Sequence, residues 1–209
     1  MQWQVSHAPV PYDKALLDMA DRVDQIQRGV AEELVWLLEH PAIYTAGASA
    51  KESDLLDRTK LPVYKTDRGG QYTYHGPGQR IVYLMLDLNK RKTDVRFYVQ
   101  LLQDWIIKTL ADFDIKGAPR EGRVGVWVQT PDGKEAKIAA LGVRIQKWVT
   151  QHGISININP DLKNYKGIVP CGVSEYGVTS MAALGVKASL NDVDKQLVDN
   201  FKYFFSHEP

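Results

Sequence analysis

A single cysteine, Cys171, stands in 209 residues. One thiol permits no internal disulfide and no zinc site built on two or more thiolates, so a reducing compartment is expected. Long apolar runs are missing too: no uninterrupted stretch approaches the ~20 residues that span a bilayer. The start, Met1-Gln2-Trp3-Gln4-Val5, has no basic segment leading into an apolar one, so a cytoplasmic protein with no membrane partner is expected. An excess of one charge is also absent. Lys and Arg number 26 against 25 Asp and Glu, and a net charge of +1 gives no global pull toward nucleic acid, so an acidic partner has to meet a local basic patch. There is no G-x-x-x-x-G-K-[ST] loop and no G-x-G-x-x-G after a strand. No two histidines stand at metal-ligand spacing with a carboxylate, so neither cofactor nor metal is expected. Repeats, low-complexity tracts and long linkers are lacking, which leaves one domain over residues 1–209.

What is present is ordinary for a folded chain with a sizeable core: 44% hydrophobic and 24% charged residues. Trp3–Val5 reads as a short strand. Tyr12, Leu16, Met19, Val23 and Ile26 recur at helical spacing, with Gly29 as the stop. Glu33–Glu39 reads as a buried strand ended by His40-Pro41, and Ala46-Gly47-Ala48-Ser49 as a loop of small residues that admits close approach. Pro62–Thr66 and Gln71–Tyr74 are short strands. The turns Asp67-Arg68-Gly69-Gly70 and His75-Gly76-Pro77-Gly78 bracket the second of these, which predicts a sheet edge. Ile81–Leu88 is an apolar strand. Val95, Tyr98, Leu102, Trp105, Ile106, Leu110 and Phe113 form a second helix capped by Thr93 or Asp94. Gly122–Val128 and Ala136–Val149 form a hairpin about Pro131-Asp132-Gly133, followed by strands at Gly153–Ile158 and Val178–Ala182. A helix bearing Val193, Leu197, Phe201 and Phe204 on one side closes the chain. Strands in runs with a few long helices predict an α+β fold, with a mixed, mostly antiparallel sheet and packed helices.

The chemistry-bearing stretch is Gly167-Ile168-Val169-Pro170-Cys171-Gly172-Val173. Proline and glycine around Cys171 favour a turn, where a thiol can meet a substrate, although an unpaired cysteine is also a common small core residue. A nucleophilic cysteine works as its thiolate and needs a neighbouring base or cation. Candidates are His7, His40, His75, His152, His207 and Lys137. Each histidine alone is equally well a core or surface group. Lys137 leads into the apolar Ile138-Ala139-Ala140-Leu141-Gly142-Val143, so it either reaches back to water or serves something buried.

Three blocks then stand in order: Arg68-Gly69-Gly70-Gln71-Tyr72-Thr73-Tyr74-His75-Gly76-Pro77-Gly78-Gln79, Lys137 through Arg144, and Gly167 through Gly172. Together, over about Leu34 to Met181, they closely resemble the lipoyl(octanoyl) transferases, which move an octanoyl group from acyl carrier protein to a lysine of lipoyl domains. The resemblance implies the fold of lipoate and biotin protein ligases, no metal or cofactor, a thioester acyl-enzyme on Cys171, and Lys137 as its activating partner. It implies an acyl site lined by Arg68, Gly69, Gly70, Gln71, Tyr72, Thr73, Tyr74 and His75, by Ala140, Leu141 and Gly142, and by Gly153, Ile154 and Ser155. The partners it implies are octanoyl-acyl carrier protein as donor, with the lipoyl domains of 2-oxoacid dehydrogenase E2 subunits and the glycine cleavage H protein as acceptors, to a monomeric enzyme. The chain departs from the family's pattern at Tyr72, usually small and aliphatic, and Arg80, commonly apolar; both are expected to flank the pocket.

The residues by themselves support acyl transfer, since a sulfur nucleophile splits thioester aminolysis into two easier steps. Backbone N–H groups near Cys171 and at Gly69-Gly70 are the natural oxyanion donors, with His75 shaping the pocket. Arg68, Arg80, Arg123, Arg144 or Lys147 would supply the basic patch. An ATP-dependent ligase of the same fold, a non-catalytic acyl- or lipoyl-domain-binding module and a hydrolase remain alternatives.

Overall fold

The computed structural model describes residues 1–170 and 176–205. Its elements in order are β1 (Gln2–Val5), α1 (Tyr12–Gln27), β2 (Leu34–Leu38), β3 (Ile43–Ala46), β4 (Val63–Lys65), β5 (Tyr72–His75), β6 (Gln79–Met85), α2 (Val95–Ala111), β7 (Ala118–Arg120), β8 (Arg123–Gln129), β9 (Glu135–Gln146), β10 (Val149–Asn157), β11 (Gly177–Val178) and α3 (Leu190–Phe205). A large sheet runs β1-β2-β6-β10-β9-β8-β7, with β11 beside β9, and a small one runs β4-β3-β5. Most pairings are antiparallel; β1–β2, β3–β4 and β9–β11 are parallel. This is the expected mixed α+β architecture.

Period-two alternation decides which layer each strand residue meets. On β6, Val82 and Leu84 join the cluster formed by Leu102, Trp105 and Ile106 of α2 and Leu197, Phe201 and Phe205 of α3. Ile81, Tyr83 and Met85 face the other way, onto Ala15, Met19, Val23 and Ile26 of α1. Helices therefore cover both faces of the large sheet, and the small sheet stands beside α1. The cap of α2 is Asp94, whose carboxylate accepts from the Phe97 N–H at 3.0 Å.

Three elements differ from expectation. Ala136–Val149 is not one strand: Lys147 and Trp148 both take positive φ, 49° and 63°, and make a tight turn between β9 and β10. Such turns usually carry Asn-Gly or Gly-Gly, so Lys-Trp gave no signal. Strand β3 was hidden because its four residues follow closely on a proline and run into the small-residue loop. Beyond Val178 the chain leaves the sheet, so the expected strand to Ala182 is only Gly177–Val178. As expected, β5 is an edge strand. Among the described residues, no helix is long and apolar enough to cross a membrane.

Candidate active site

A cavity of about 260 Å³ lies between β6, β9 and β10 of the large sheet and the segment that enters β5. Apolar and aromatic side chains form much of it: Tyr12, Ile81, Tyr83, Val124, Ala140, Leu141 and Ile154. Of the other expected residues, Arg68, Gly70, Gln71, Thr73, His75, Gly142, Gly153, Ser155 and Lys137 also line it, and Ser49, Gly122, Arg123 and His152 join them.

Three residues expected to line it, Gly69, Tyr72 and Tyr74, do not, and Arg80, expected to flank it, does not either. Thr73 and His75 point inward from β5, so alternation sends Tyr72 and Tyr74 outward, into a cluster with Tyr44, Tyr165 and Ile168. Gly69 is held by its backbone, its N–H donating to the Val143 carbonyl at 2.9 Å, and that amide is therefore not an oxyanion donor. Arg80 faces α3 rather than the cavity: its guanidinium pairs with Asp194, Nε to Oδ1 at 2.7 Å, and both residues are buried. Neither departure from the family pattern thus touches the cavity wall.

Arg68 braces the loop that enters β5. Its Nη2 donates to the Thr45 carbonyl, Thr45 Oγ1 and the Gln71 carbonyl, and its Nη1 to the Gly69 carbonyl, all within 3.0 Å. The guanidinium thereby closes the 68–71 loop on itself and on β3, and buried carbonyls that the turn frees from sheet pairing are satisfied. Glycine lets this loop settle. A Cβ at Gly47 would lie 2.3 Å from the Gly70 carbonyl oxygen, and one at Gly142 would lie 3.0 Å from that of Gly69. Gly47→Ala is expected to push the loop outward, costing about 1–3 kcal/mol as an overpacked site does, and to raise KM for an acyl donor. Urea denaturation and initial rates check it; an unchanged unfolding midpoint would show that the loop yields freely.

Two buried histidines, His75 and His152, line the cavity, and a third, His40, lies behind them with its ring centre 5.9 Å from that of His75. His40 Nδ1 donates to the Val10 carbonyl at 2.6 Å, and its Nε2 accepts from the Tyr83 hydroxyl at 2.7 Å. His75 Nδ1 donates to Gln79 Oε1 at 2.7 Å, the Gln79 amide nitrogen being directed to the Tyr74 carbonyl and Asn157. Burial lowers the pKa of His40 and of His152 to about 4. Burial, with His40 adding to it, holds that of His75 well below the usual value. All three are neutral near pH 7; His75 and His152 stand in the cavity wall, and His40 and His75 are tied by the hydrogen bonds above. His152 takes φ 58°, left-handed for a residue inside a strand. Backbone strain of this kind collects at functional sites.

Lys137 is 7% exposed. Its amino group donates to the Val124 carbonyl at 2.9 Å and lies 4.8 Å from the Trp127 ring centre. Strict alternation would put Lys137 and Ala140 on opposite faces of β9. Instead the β8–β9 pairing advances two residues on β9, from Ala139 to Lys137, for one on β8, from Val126 to Trp127. This β-bulge turns Lys137 to the cavity side.

Cys171 lies outside the described residues, as does His207. The described chain on either side of the cysteine is anchored. Val169 N–H donates to the Asp54 carbonyl at 2.8 Å. On the far side the Tyr176 ring lies 4.0 Å from the Arg123 guanidinium and packs edge-on against Trp127. Val178 is in register with Lys137, whose carbonyl accepts from the Thr179 N–H at 2.9 Å.

The expected basic patch is reduced. Arg68 and Arg80 are buried, Arg123 pairs with Glu135 at 3.1 Å and Arg144 with Asp67, which leaves Lys147 exposed. Tyr12, Ile81, Tyr83 and Val124 were not expected at the site. The first sits at a helix start and the others inside apolar strands, so each reads as core, and only the three-dimensional packing brings them to the cavity. Among the described residues no group of three or more His, Cys, Asp or Glu could hold a metal ion.

The family described as the lipoyl protein ligase A/B catalytic domain matches residues 13–202. An octanoyltransferase of Parvibaculum lavamentivorans is 58% identical over 207 residues, covering 98% of this chain and 92% of the relative. One of Paramagnetospirillum magneticum is 54% identical over 205 residues, covering 98% and 97%. Two solved structures share the fold at low identity. Lipoate-protein ligase A bound with ATP gives a TM-score of 0.73 at 13% identity, over 98% of this chain and 85% of that one. The bi-partite lipoate protein ligase of Thermoplasma acidophilum gives 0.71 at 15% identity, over 96% and 82%. The chain belongs to the octanoyltransferase family, within the lipoyl protein ligase A/B catalytic-domain group.

Proposed function

We propose that the protein transfers an octanoyl group from octanoyl-acyl carrier protein to a lysine of lipoyl domains, through a thioester on Cys171 with Lys137 as proton acceptor and donor. The observation that carries this reading is the amino group of Lys137 in the wall of a largely apolar cavity, on the strand against which the chain leaving Cys171 is registered. A volume of about 260 Å³ falls just below the ~300–1,000 Å³ of drug-sized ligand sites, which suits a single medium-length acyl chain.

In the first half-reaction the Cys171 thiol gives its proton to the Lys137 amine, and sulfur attacks the donor's thioester carbonyl. The tetrahedral intermediate collapses with cleavage of the donor C–S bond, and the departing sulfur takes the proton from Lys137. In the second, the acceptor lysine's amine attacks the Cys171 thioester and yields a proton to Lys137. An amide forms, the C–S bond to Cys171 breaks, and that sulfur recovers the proton. Neutral His75 and His152 shape the cavity without competing for protons. The lipoyl domains of 2-oxoacid dehydrogenase E2 subunits and the glycine cleavage H protein are the acceptors in this reading, met by a cytoplasmic, monomeric, single-domain enzyme.

Intact-protein mass spectrometry after incubation with octanoyl-acyl carrier protein tests it. The expected result is a gain of one octanoyl group without ATP, absent in Cys171→Ala and discharged by an added lipoyl domain. Transfer that requires ATP and octanoate would make the protein a ligase, free octanoate without acceptor would make it a hydrolase, and absence of any adduct or product would leave a binding module.

A further inference from the structure

The bulge that aims Lys137 at the cavity has a support on the opposite side of the sheet. Gln103 is a buried amide on the mostly apolar inner face of α2. Its Nε2 donates to the Gly125 carbonyl at 3.0 Å. The neighbouring carbonyl, that of Val124, accepts from Lys137 on the cavity side. Two successive carbonyls near the irregular stretch of β8–β9 pairing are thus taken by side-chain donors from opposite layers. Gly125 makes the arrangement possible. Its φ is 135°, and a Cβ there would lie 2.9 Å from the Ala139 carbonyl oxygen and 3.0 Å from Lys137 Cε.

We propose that Gln103 is a positioning residue: through the Gly125 carbonyl it fixes the stretch of β8 that faces the β9 bulge, so that the Val124 carbonyl holds the Lys137 amino group in the cavity wall. A buried amide in an apolar layer costs free energy unless it is paired, and here its partner is a carbonyl that irregular pairing exposes. The packing of α2 on the sheet does not itself call for a donor, because the neighbouring Leu102 and Ile106 are held by apolar contact and the Trp105 indole N–H donates to the Leu197 carbonyl of α3 at 3.0 Å. Loss of the donor frees the peptide between Val124 and Val126 to rotate, and the Val124 carbonyl then leaves the amine. A displacement of that order at a reacting group lowers turnover by about 10- to 100-fold.

The inference rests on the proposed role of Lys137, so its test uses a readout independent of turnover. Cyanate is small and reacts with neutral amines, and carbamylation of Lys137 can be followed against pH by peptide mass spectrometry. In Gln103→Met, an unbranched variant with no donor, and in Gly125→Ala, Lys137 is expected to label severalfold faster with a displaced pH–rate profile. Leu102→Val, which perturbs the same buried helix face without removing a hydrogen-bond donor, should label as wild type. If the transfer assay holds, kcat for Gln103→Met falls while KM for the acyl donor is unchanged. Wild-type labelling of Lys137 in folded Gln103→Met and Gly125→Ala overturns the positioning role. Wild-type turnover in Lys137→Met overturns the role of the lysine in transfer, whatever the labelling shows.

Discussion

Lys137→Met is expected to slow octanoyl transfer by about 10²- to 10⁴-fold, the contribution of one positioned proton-transfer group. Methionine keeps an apolar stem of similar reach against Trp127, so the main structural loss is the hydrogen bond to the Val124 carbonyl and the protein should remain folded. The comparison with Lys137→Arg separates two roles. A guanidinium can stabilise a thiolate but cannot accept a proton in a protein, so arginine should restore part of the alkylation rate of Cys171 near neutral pH and little of the turnover. The free thiol value is about 8.5, and a cation beside the sulfur lowers it. Iodoacetamide alkylation of Cys171 against pH for the three proteins gives the answer. An identical profile in Lys137→Met would reduce the lysine to a structural group.

The residue types that carry this prediction were legible in the chain, because they break local rules. A lysine opening the apolar run Ile138–Val143 and a cysteine between proline and glycine stand out in the sequence, although a solvated lysine and a core cysteine account for each of them equally, and it is the resemblance that assigns them roles. Helices were legible for the opposite reason: the spacing of Met19, Val23 and Ile26, or of Leu197 and Phe201, is what a covered face requires. The face each strand residue chooses was harder to read. Tyr72 and Thr73 are adjacent, and only the register of β5 on β3 tells which enters the cavity. The bulge at Ala139–Lys137 cannot be seen in a period-two pattern, since it lies in the pairing of two strands rather than in either one. Arg80 shows the limit most clearly. A charged residue near a suspected site suggests a partner outside, yet its partner is Asp194, 114 positions later, on the far side of the sheet. Gln103 reads as one polar residue on an amphipathic helix, and its role depends on a carbonyl that only the irregular pairing makes available.

Acidification from pH 7 to pH 5 is expected to remove several kcal/mol of folding stability, well before most carboxylates titrate. The unfolded chain binds protons on histidine near pH 6.5, whereas His40 and His152 in the fold do so only at about 4, and His75 well below the usual value. A depressed histidine pKa means that the unfolded state binds the extra proton. Stability is then fully present above pH 6.5 and falls as pH drops from 6.5 toward 4, by about 1.4 kcal/mol per pH unit for each group. Between pH 6.5 and 5, His40 and His152 together remove about 4 kcal/mol, a large part of the whole stability of many domains, and His75 adds to the loss in the same direction. Glu33, lowered overall by its hydrogen bonds with Arg91 and Asp87 against the opposing effect of burial, adds its own loss only below about pH 4.5. Asp194 works in the opposite sense, because burial raises its pKa despite Arg80. Urea unfolding at pH 7 and pH 5 measures the drop. His152→Asn should lessen it, since asparagine tolerates the left-handed φ at that position and does not titrate. Equal stability at the two pH values would mean that water reaches these rings and that they take up protons in the fold as they do in the unfolded chain.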